Sequence, residues 1–146
     1  MIQMFSENAG RIMELAASEA RRLNHEHIGT QHLLLALIKT ECSASLFLAD
    51  LIELDILARV LEGSDFQPKK IVVGELSQTP RLKKVIKYAS EKARTLNRDY
   101  VNSACLLSGI LKEEEGLAAD VLSKLGLTFG SIRGRLQAFL MEQSSK

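Results

Sequence analysis

Histidine and cysteine are the residues in this chain best suited to metal binding or nucleophilic catalysis. His25 and His27 have a spacing suited to two metal ligands, but no Cys, Asp or His follows at the spacing that a four-ligand zinc site needs. Cys42 or Cys105 could serve as a nucleophile with His32 as its base, yet nothing in the sequence orients such a pair. We therefore predict no catalytic, metal-binding or cofactor-binding residue, and we interpret the histidine pair as part of a solvated turn.

A second chemically capable group is basic and lies near the middle of the chain: Lys69, Lys70, Arg81, Lys83, Lys84 and Lys87. Three interpretations stay open for it, namely a solvated helix face, a docking surface for an acidic protein, and a nucleic-acid site. The net charge of +1 and the nearby Glu91 argue against the last. We therefore expect no nucleic-acid partner.

The composition is that of an ordinary globular protein. The 146 residues are 46% hydrophobic and 25% charged, which predicts one compact domain. The longest apolar run, at 33–38, is too short to span a bilayer, and the first residues lack the pattern of a secretory signal. Two isolated cysteines are typical of a reducing compartment. We expect a cytoplasmic location and no membrane partner.

The elements that must position these residues occur twice in the chain. The windows 16–39 and 89–112 share eight identities, which pair Ala16, Ala20, Arg21, Leu23, Asn24, Leu33, Leu34 and Lys39 with Ala89, Ala93, Arg94, Leu96, Asn97, Leu106, Leu107 and Lys112. Apolar residues in both halves keep helical spacing. The duplication predicts an all-α fold of two four-helix repeats, related by a pseudo-twofold axis and separated by a groove.

The predicted boundaries follow from helix-start signals. The first repeat covers 1–62, a connector covers 63–78, and the second repeat covers 79–143. The residues predicted to cap helices are Ser6, Thr30, Asp55, Thr79, Ser103 and Thr128. The shorter helices are predicted at 43–52, 55–62, 116–125 and 129–143. Helix 31–39 is apolar nearly all round, so it is predicted to be the buried centre of its repeat.

Several motifs resemble those of the Clp N-terminal repeat, in the same order along the chain. Residues 28–37 read Ile-Gly-Thr-Gln-His-Leu-Leu-Leu-Ala-Leu, close to the family signature Ile/Val-Gly-Thr-Glu-His-Ile/Leu-Leu-Leu-Gly/Ala-Leu. The segments 5–7 (Phe-Ser-Glu), 79–85 (Thr-Pro-Arg-Leu-Lys-Lys-Val), 113–119 and 121–127 match further family motifs. The resemblance is strongest to the ClpC type. It matches His32 to the family's helix-start histidine, which we interpret as a hydrogen-bonding partner of the neighbouring backbone.

The resemblance implies a non-enzymatic docking domain of a ring-forming ATPase that unfolds proteins. The implied partners are Clp adaptor proteins, unfolded or tagged substrates, and the Clp ATPase ring or peptidase. The chain contains no Gly-x-x-x-x-Gly-Lys-Ser/Thr loop, so we do not expect it to be the ATPase itself. Two alternatives stay open: the N-domain of a longer Clp ATPase, or a stand-alone accessory protein that regulates Clp protease assembly. A plant-type member of the second kind would reside in the plastid stroma.

The residues predicted to bind protein partners are Phe5, Thr30, Gln31, Arg81, Lys83 and Lys84. One departure from the family pattern affects them. In ClpC-type domains of some bacteria, a Glu between the Thr and His of each signature helps bind phosphorylated arginine on substrates. The two equivalent positions here hold a glutamine, Gln31, and an alanine, Ala104. We therefore expect high-affinity phosphoarginine recognition to be lost.

Overall fold

Eight α-helices and one short pair of parallel strands form the part of the chain that the computed structural model describes, residues 5–63 and 76–144. The elements are α1 (Glu7–Arg22), β1 (His27–Ile28), α2 (Thr30–Lys39), α3 (Ser43–Ala49), α4 (Leu54–Gly63), β2 (Ser77–Gln78), α5 (Pro80–Thr95), α6 (Ser103–Lys112), α7 (Leu117–Lys124) and α8 (Phe129–Ser144). The prediction of an all-α fold with eight helices is confirmed.

The second helix of each repeat lies at its centre. In α2 the buried residues are Thr30 and 32–37, and in α6 they are 103–111. The amphipathic helices α1 and α5 pack against α2 and α6 through alanine-rich stripes, because small side chains let two helix backbones approach closely. The predicted burial of helix 31–39 is therefore confirmed, and the corresponding helix of the second repeat has the same role.

Two short backbone pairings join the repeats, and the sequence did not predict them. Ile28 pairs with Gln78 in parallel, and Phe5 forms a parallel bridge with Val101. The sequence offset that relates the window 16–39 to the window 89–112 also relates Phe5 to Gln78 and Ile28 to Val101. The two pairings are therefore equivalent in the two repeats. The N–H of Thr79 donates to the carbonyl of Ile28 at 2.9 Å. In the equivalent bond, the N–H of Ser6 donates to the carbonyl of Val101, also at 2.9 Å. The segment before the first helix of each repeat thus pairs with the segment before the second helix of the other. The strand β2 lies within the predicted connector, whose residues 64–75 are outside the described part.

Three of the predicted caps are confirmed. Ser6 accepts a hydrogen bond from the N–H of Ala9, and Thr79 accepts one from the N–H of Leu82, both at 3.2 Å. Thr128 accepts one from a backbone N–H in the first turn of α8 at 3.0 Å. The prediction for Asp55 was wrong, because α4 begins at Leu54 and places this residue inside the first turn. The preceding helix is also shorter than predicted and ends at residue 49 rather than 52.

Thr30 and Ser103 were also wrongly predicted as caps. Each is the first residue of its helix, and the cap is the residue before it, a glycine and an asparagine respectively. Their hydroxyl groups instead serve the other repeat. Thr30 Oγ1 accepts a hydrogen bond from the N–H of Ala118 in α7 at 3.1 Å, and Ser103 Oγ accepts one from the N–H of Ala44 in α3 at 3.4 Å. These cross-repeat bonds fix how the two halves sit against each other.

Candidate functional site

A groove of about 1080 Å³ opens between the two repeats where three helices begin. One wall is the turn before α2 together with the first turn of that helix. A second wall is the first turn of α5, and a third is formed by residues 114–120, which lead into α7. Both repeats contribute walls because the strand pairing of β1 with β2 brings the start of α5 beside the start of α2. The groove therefore exists only in the folded two-repeat unit.

The walls of the groove carry opposite charges. Arg81 and Lys84 lie on the α5 side, whereas Glu114, Glu115 and Asp120 lie on the α7 side. Arg81 Nη1 is 3.0 Å from Glu115 Oε2, and this hydrogen bond holds the pKa of the Glu115 carboxyl below its usual value. Lys84 is exposed and forms no ion pair within the described residues. The groove thus offers a cation to an acidic ligand and carboxylates to a basic one.

Arg81 has a second role, which involves a buried carboxylate. Glu113 is only 6% exposed, and its Oε1 accepts a hydrogen bond from the N–H of Glu115 at 3.4 Å. Its Oε2 has no hydrogen-bond partner among the described residues, and Arg81 Nη1 lies 3.9 Å from Oε1. A buried carboxylate needs a nearby cation to offset its lost hydration. Arg81 therefore holds the segment before α7 in place as well as lining the groove.

A buried pair of histidines fixes the start of α2. The N–H of Gly29 donates to His32 Nδ1 at 2.9 Å, so the ring proton of His32 is on Nε2 and is donated to His25 Nδ1 at 2.6 Å. Burial, and then the neighbouring His25, lower the pKa of His32 to about 4. The role predicted for His32 is confirmed. Of the solvated-turn interpretation, only the exposure of His27 is confirmed: this residue lies in β1 rather than in a turn, and His25 is buried.

The structure brings together four of the six predicted binding residues. Thr30, Gln31, Arg81 and Lys84 line the groove, although the Thr30 side chain is buried and already hydrogen-bonded to α7. Two lie elsewhere: Lys83 is exposed on α5 outside the groove, and Phe5 is half-buried at the bridge to Val101. The acidic wall was missed, since only the family motif at 113–119 marked it.

Three other features bear on function in residues 5–63 and 76–144, namely metal ligands, cysteine thiols and apolar helices. Within these ranges, no group of three or more His, Cys, Asp or Glu side chains is arranged to hold a metal ion. Cys42 and Cys105 are both buried and free, and burial raises the pKa of the Cys105 thiol. No single described helix is long and apolar enough to cross a membrane, and α2 with α3 reaches that length only across a 90° bend.

Comparisons with known proteins agree with this architecture. A model of the Clp repeat (R) N-terminal domain family matches residues 4–125 and 77–146. The ClpA homologue of Cyanidium caldarium, an ATP-dependent Clp protease ATP-binding subunit, is 34% identical over 99% of this chain, which spans 17% of that relative. The corresponding ClpC subunit of Staphylococcus aureus (strain USA300) is 35% identical over 90% of the chain and 16% of its own length.

A solved structure shows the same fold. The ClpV N-domain in complex with a VipB peptide superposes with a TM-score of 0.73 over 96% of this chain and 94% of that one, at 17% sequence identity. At that identity the likeness concerns the fold alone. Together with the family match over most of the sequence, it leads to one conclusion: this chain belongs to the Clp N-terminal domain family.

Proposed function

We propose that this chain is a non-enzymatic docking domain of a Clp-type ATPase, which receives protein partners and passes them to the ATPase ring. The observation that carries the proposal is the groove, because residues of both repeats meet there around a space large enough for a peptide segment. The ClpV N-domain, which shares this fold, binds a VipB peptide. The curated relatives are ATP-binding subunits of Clp proteases, of which this chain matches about one sixth.

The groove favours a partner segment that carries charges of both signs. Lys84 can pair with a carboxylate of the partner, and the exposed Glu114 on the facing wall can pair with a basic side chain, whereas Asp120 already pairs with Lys124 at 3.2 Å. Gln31 also lines the groove and adds an uncharged hydrogen-bonding group. Such contacts position a segment without any covalent chemistry, which fits an adaptor or an unfolded substrate in transit.

Two adjacent lysines provide a matched test. Lys83 and Lys84 are both exposed on α5, but only Lys84 lines the groove. The chain is used as bait in lysate of its source organism, and captured proteins are quantified by mass spectrometry for the wild type, Lys84→Glu and Lys83→Glu. We expect Lys84→Glu to reduce capture of adaptors and unfolded proteins several-fold, since charge complementarity steers such contacts. Lys83→Glu should leave capture unchanged.

The same experiment addresses the accessory-protein alternative. If Lys83→Glu and Lys84→Glu reduced the amount of captured protein equally, the groove would not be the binding site. Recovery of Clp ring subunits in fixed proportion, without adaptors or substrates, would instead identify a stand-alone assembly factor.

The uncharged Gln31 also bears on the ligand. A carboxylate at this position would pair with the guanidinium of phosphoarginine, and a glutamine side chain lacks that charge. We therefore expect calorimetric titration with free phosphoarginine to show no micromolar binding. Binding at two sites in that range would contradict this part of the proposal.

A further inference from the structure

Outside the groove, an ion-pair network in the first repeat has no counterpart among the described residues of the second. Lys39 Nζ and Arg22 Nη2 lie 2.7 and 2.8 Å from Oε1 of the buried Glu19. Both cations also pair with Glu62 of α4. Two carboxylates and two cations thus form ion pairs that link α1, α2 and α4. Partly buried charges in such a network stabilise one another more than isolated surface pairs do.

The second repeat replaces both carboxylates. The offset that relates 16–39 to 89–112 places Lys92 at the position of Glu19. The helices α4 and α8 can be aligned by their buried residues, Leu57 and Leu61 in the first and Ile132 and Leu136 in the second. This alignment places Gln137 at the position of Glu62. The equivalent of Lys39 is Lys112, whose Nζ lies over the Tyr88 ring, 4.7 Å from its centroid. The second repeat thus has a cation and a neutral amide at the two carboxylate positions, and Thr95 at the position of Arg22.

At this place the structure has a cleft of about 440 Å³ between α5, α6 and α8, which we call the α8 cleft. Its lining is Lys92, Ser108, Phe129, Arg133, Gly134, Leu136, Gln137 and Leu140. Among the residues that the structure describes, no Asp or Glu lines it, and neither Lys92 nor Arg133 forms an ion pair. An added Cβ at Gly134 would meet nothing within 4 Å, so the cleft is open at that point. It combines an apolar floor with two cations that lack a carboxylate.

We propose that the α8 cleft binds a partner peptide in which a carboxylate side chain adjoins a large apolar side chain. The carboxylate of the peptide binds between Lys92 and Arg133, and it supplies the negative charge that Glu19 and Glu62 supply in the first repeat. The apolar side chain packs on Phe129, Leu136 and Leu140. The volume suits a few side chains rather than a folded domain. The site is separate from the groove and does not depend on it.

The test uses short peptides and the whole chain. Acetyl-Glu-Leu-Phe-Glu-amide is titrated into the ¹⁵N-labelled protein, and amide chemical shifts are followed by NMR. We expect saturable shifts at Ser108, Gly134 and Gln137. The neutral peptide acetyl-Gln-Leu-Phe-Gln-amide should bind at least about fivefold more weakly, because it keeps the apolar contacts and loses the charge pairs.

Two arginines of α8 supply the matched variants. Arg133 lines the cleft, whereas Arg135, also exposed and two positions further on, does not. Arg133→Gln should weaken binding of the acidic peptide about fivefold, and Arg135→Gln should not change it. The spectrum of each free variant reports whether it has folded.

Three results would overturn the proposal. They are equal affinity for both peptides, equal effects of the two variants, and no saturable shift up to about 5 mM peptide. Shifts confined to Gln31 and Lys84 would assign the peptide to the groove, so they would support the proposed function while removing the α8 cleft as a site.

Discussion

The starts of α2 and α6 occupy equivalent places in the two repeats, yet different atoms cap them. At α2 the cap residue is Gly29, which has no side chain, and its own N–H donates to His32, which is held by His25. At α6 the side chain of Asn102 accepts a hydrogen bond from the N–H of Cys105 at 3.0 Å. Both solutions use polar groups that a helix start leaves unpaired, but only the first needs a buried pair of histidines.

The residues around the starts of α2 and α6 also differ. Arg98 replaces His25, and its Nη2 donates to the carbonyl of Leu140 in α8 at 2.9 Å. The buried Ala104 replaces Gln31, which lines the groove. The turn before α6 is thus tied to α8 of its own repeat, and Ser103 at the helix start is bonded to α3 of the other, whereas the first turn of α2 lines the groove. Duplication has thus preserved the helices, while the residue after the first helical position, Gln31 in one copy and Ala104 in the other, decides which copy presents a polar surface.

The largest expected effect tests whether the cores are equivalent. Leu34 in α2 and Leu107 in α6 are both fully buried. Truncating either to Ala removes packing at the centre of its repeat, so each variant should lose about 2–5 kcal/mol of unfolding free energy. Urea denaturation measures it. If one variant lost less than about 1 kcal/mol, the two repeats would not share the same kind of core.

The second prediction concerns pH and separates the two helix starts. The pKa of His32 is lowered to about 4 in the folded chain, against about 6.5 in an unfolded one. Between these pH values the unfolded chain binds more protons at this group than the folded chain does. The free energy of unfolding is therefore not reduced by this group above about pH 6.5, and it declines as the pH falls towards 4. The loss is on the order of 3 kcal/mol.

The measurement is the unfolding free energy from about pH 4 to about pH 8, for the wild type and His32→Gln. Carboxylates titrate in both proteins, so the difference between the two curves isolates the histidine. We expect the wild type to lose more stability on acidification than the variant does. Parallel curves would show that the buried pair takes up a proton without disturbing α2.

Much of the fold could be predicted because it follows from local patterns. Apolar spacing reports which face of a helix is buried, and the hydroxyls of Ser6 and Thr79 precede their helices directly. The pairing of Ile28 with Gln78 could not be predicted in this way. Each strand is very short, and the two segments that pair are far apart in the sequence, so no alternating pattern marks them.

The site was predictable on two of its three walls, those formed by the starts of α2 and α5. Gln31 and Arg81 lie in motifs that sequence comparison recognises, and they do line the groove. Its polar neighbours predict that His25 is a surface residue, but its ring is buried against His32. Glu113 stands in a run of three glutamates that is typical of solvated segments, and only the fold shows that it is buried. Burial of a polar group depends on distant partners, which periodicity does not reveal.

A third prediction tests how closely the helices of each repeat pack. Gly109 in α6 is the equivalent of Ala36 in α2. A Cβ at Gly109 would run into the backbone carbonyl of Val85 in α5. Gly109→Ala should therefore destabilise the protein by about 1–3 kcal/mol, although helix propensity alone favours Ala by about 1 kcal/mol. Gly10→Ala in α1 is the control, since its Cβ meets nothing within 4 Å. Thermal unfolding should give the two changes opposite signs.

The smallest effect returns to the two caps. Asn102→Ala removes the capping oxygen of α6 and should cost about 1 kcal/mol. Gly29→Ala should cost only a few tenths of that, because its N–H still reaches His32 and its backbone φ of −105° suits any residue. The added methyl would displace only the end of the Gln31 side chain, so its main effect should be on partner binding in the groove. Denaturant unfolding of both variants compares them directly. Equal losses of stability would mean that the histidine does not replace a side-chain cap, and that the two helix starts are more alike than their atoms indicate.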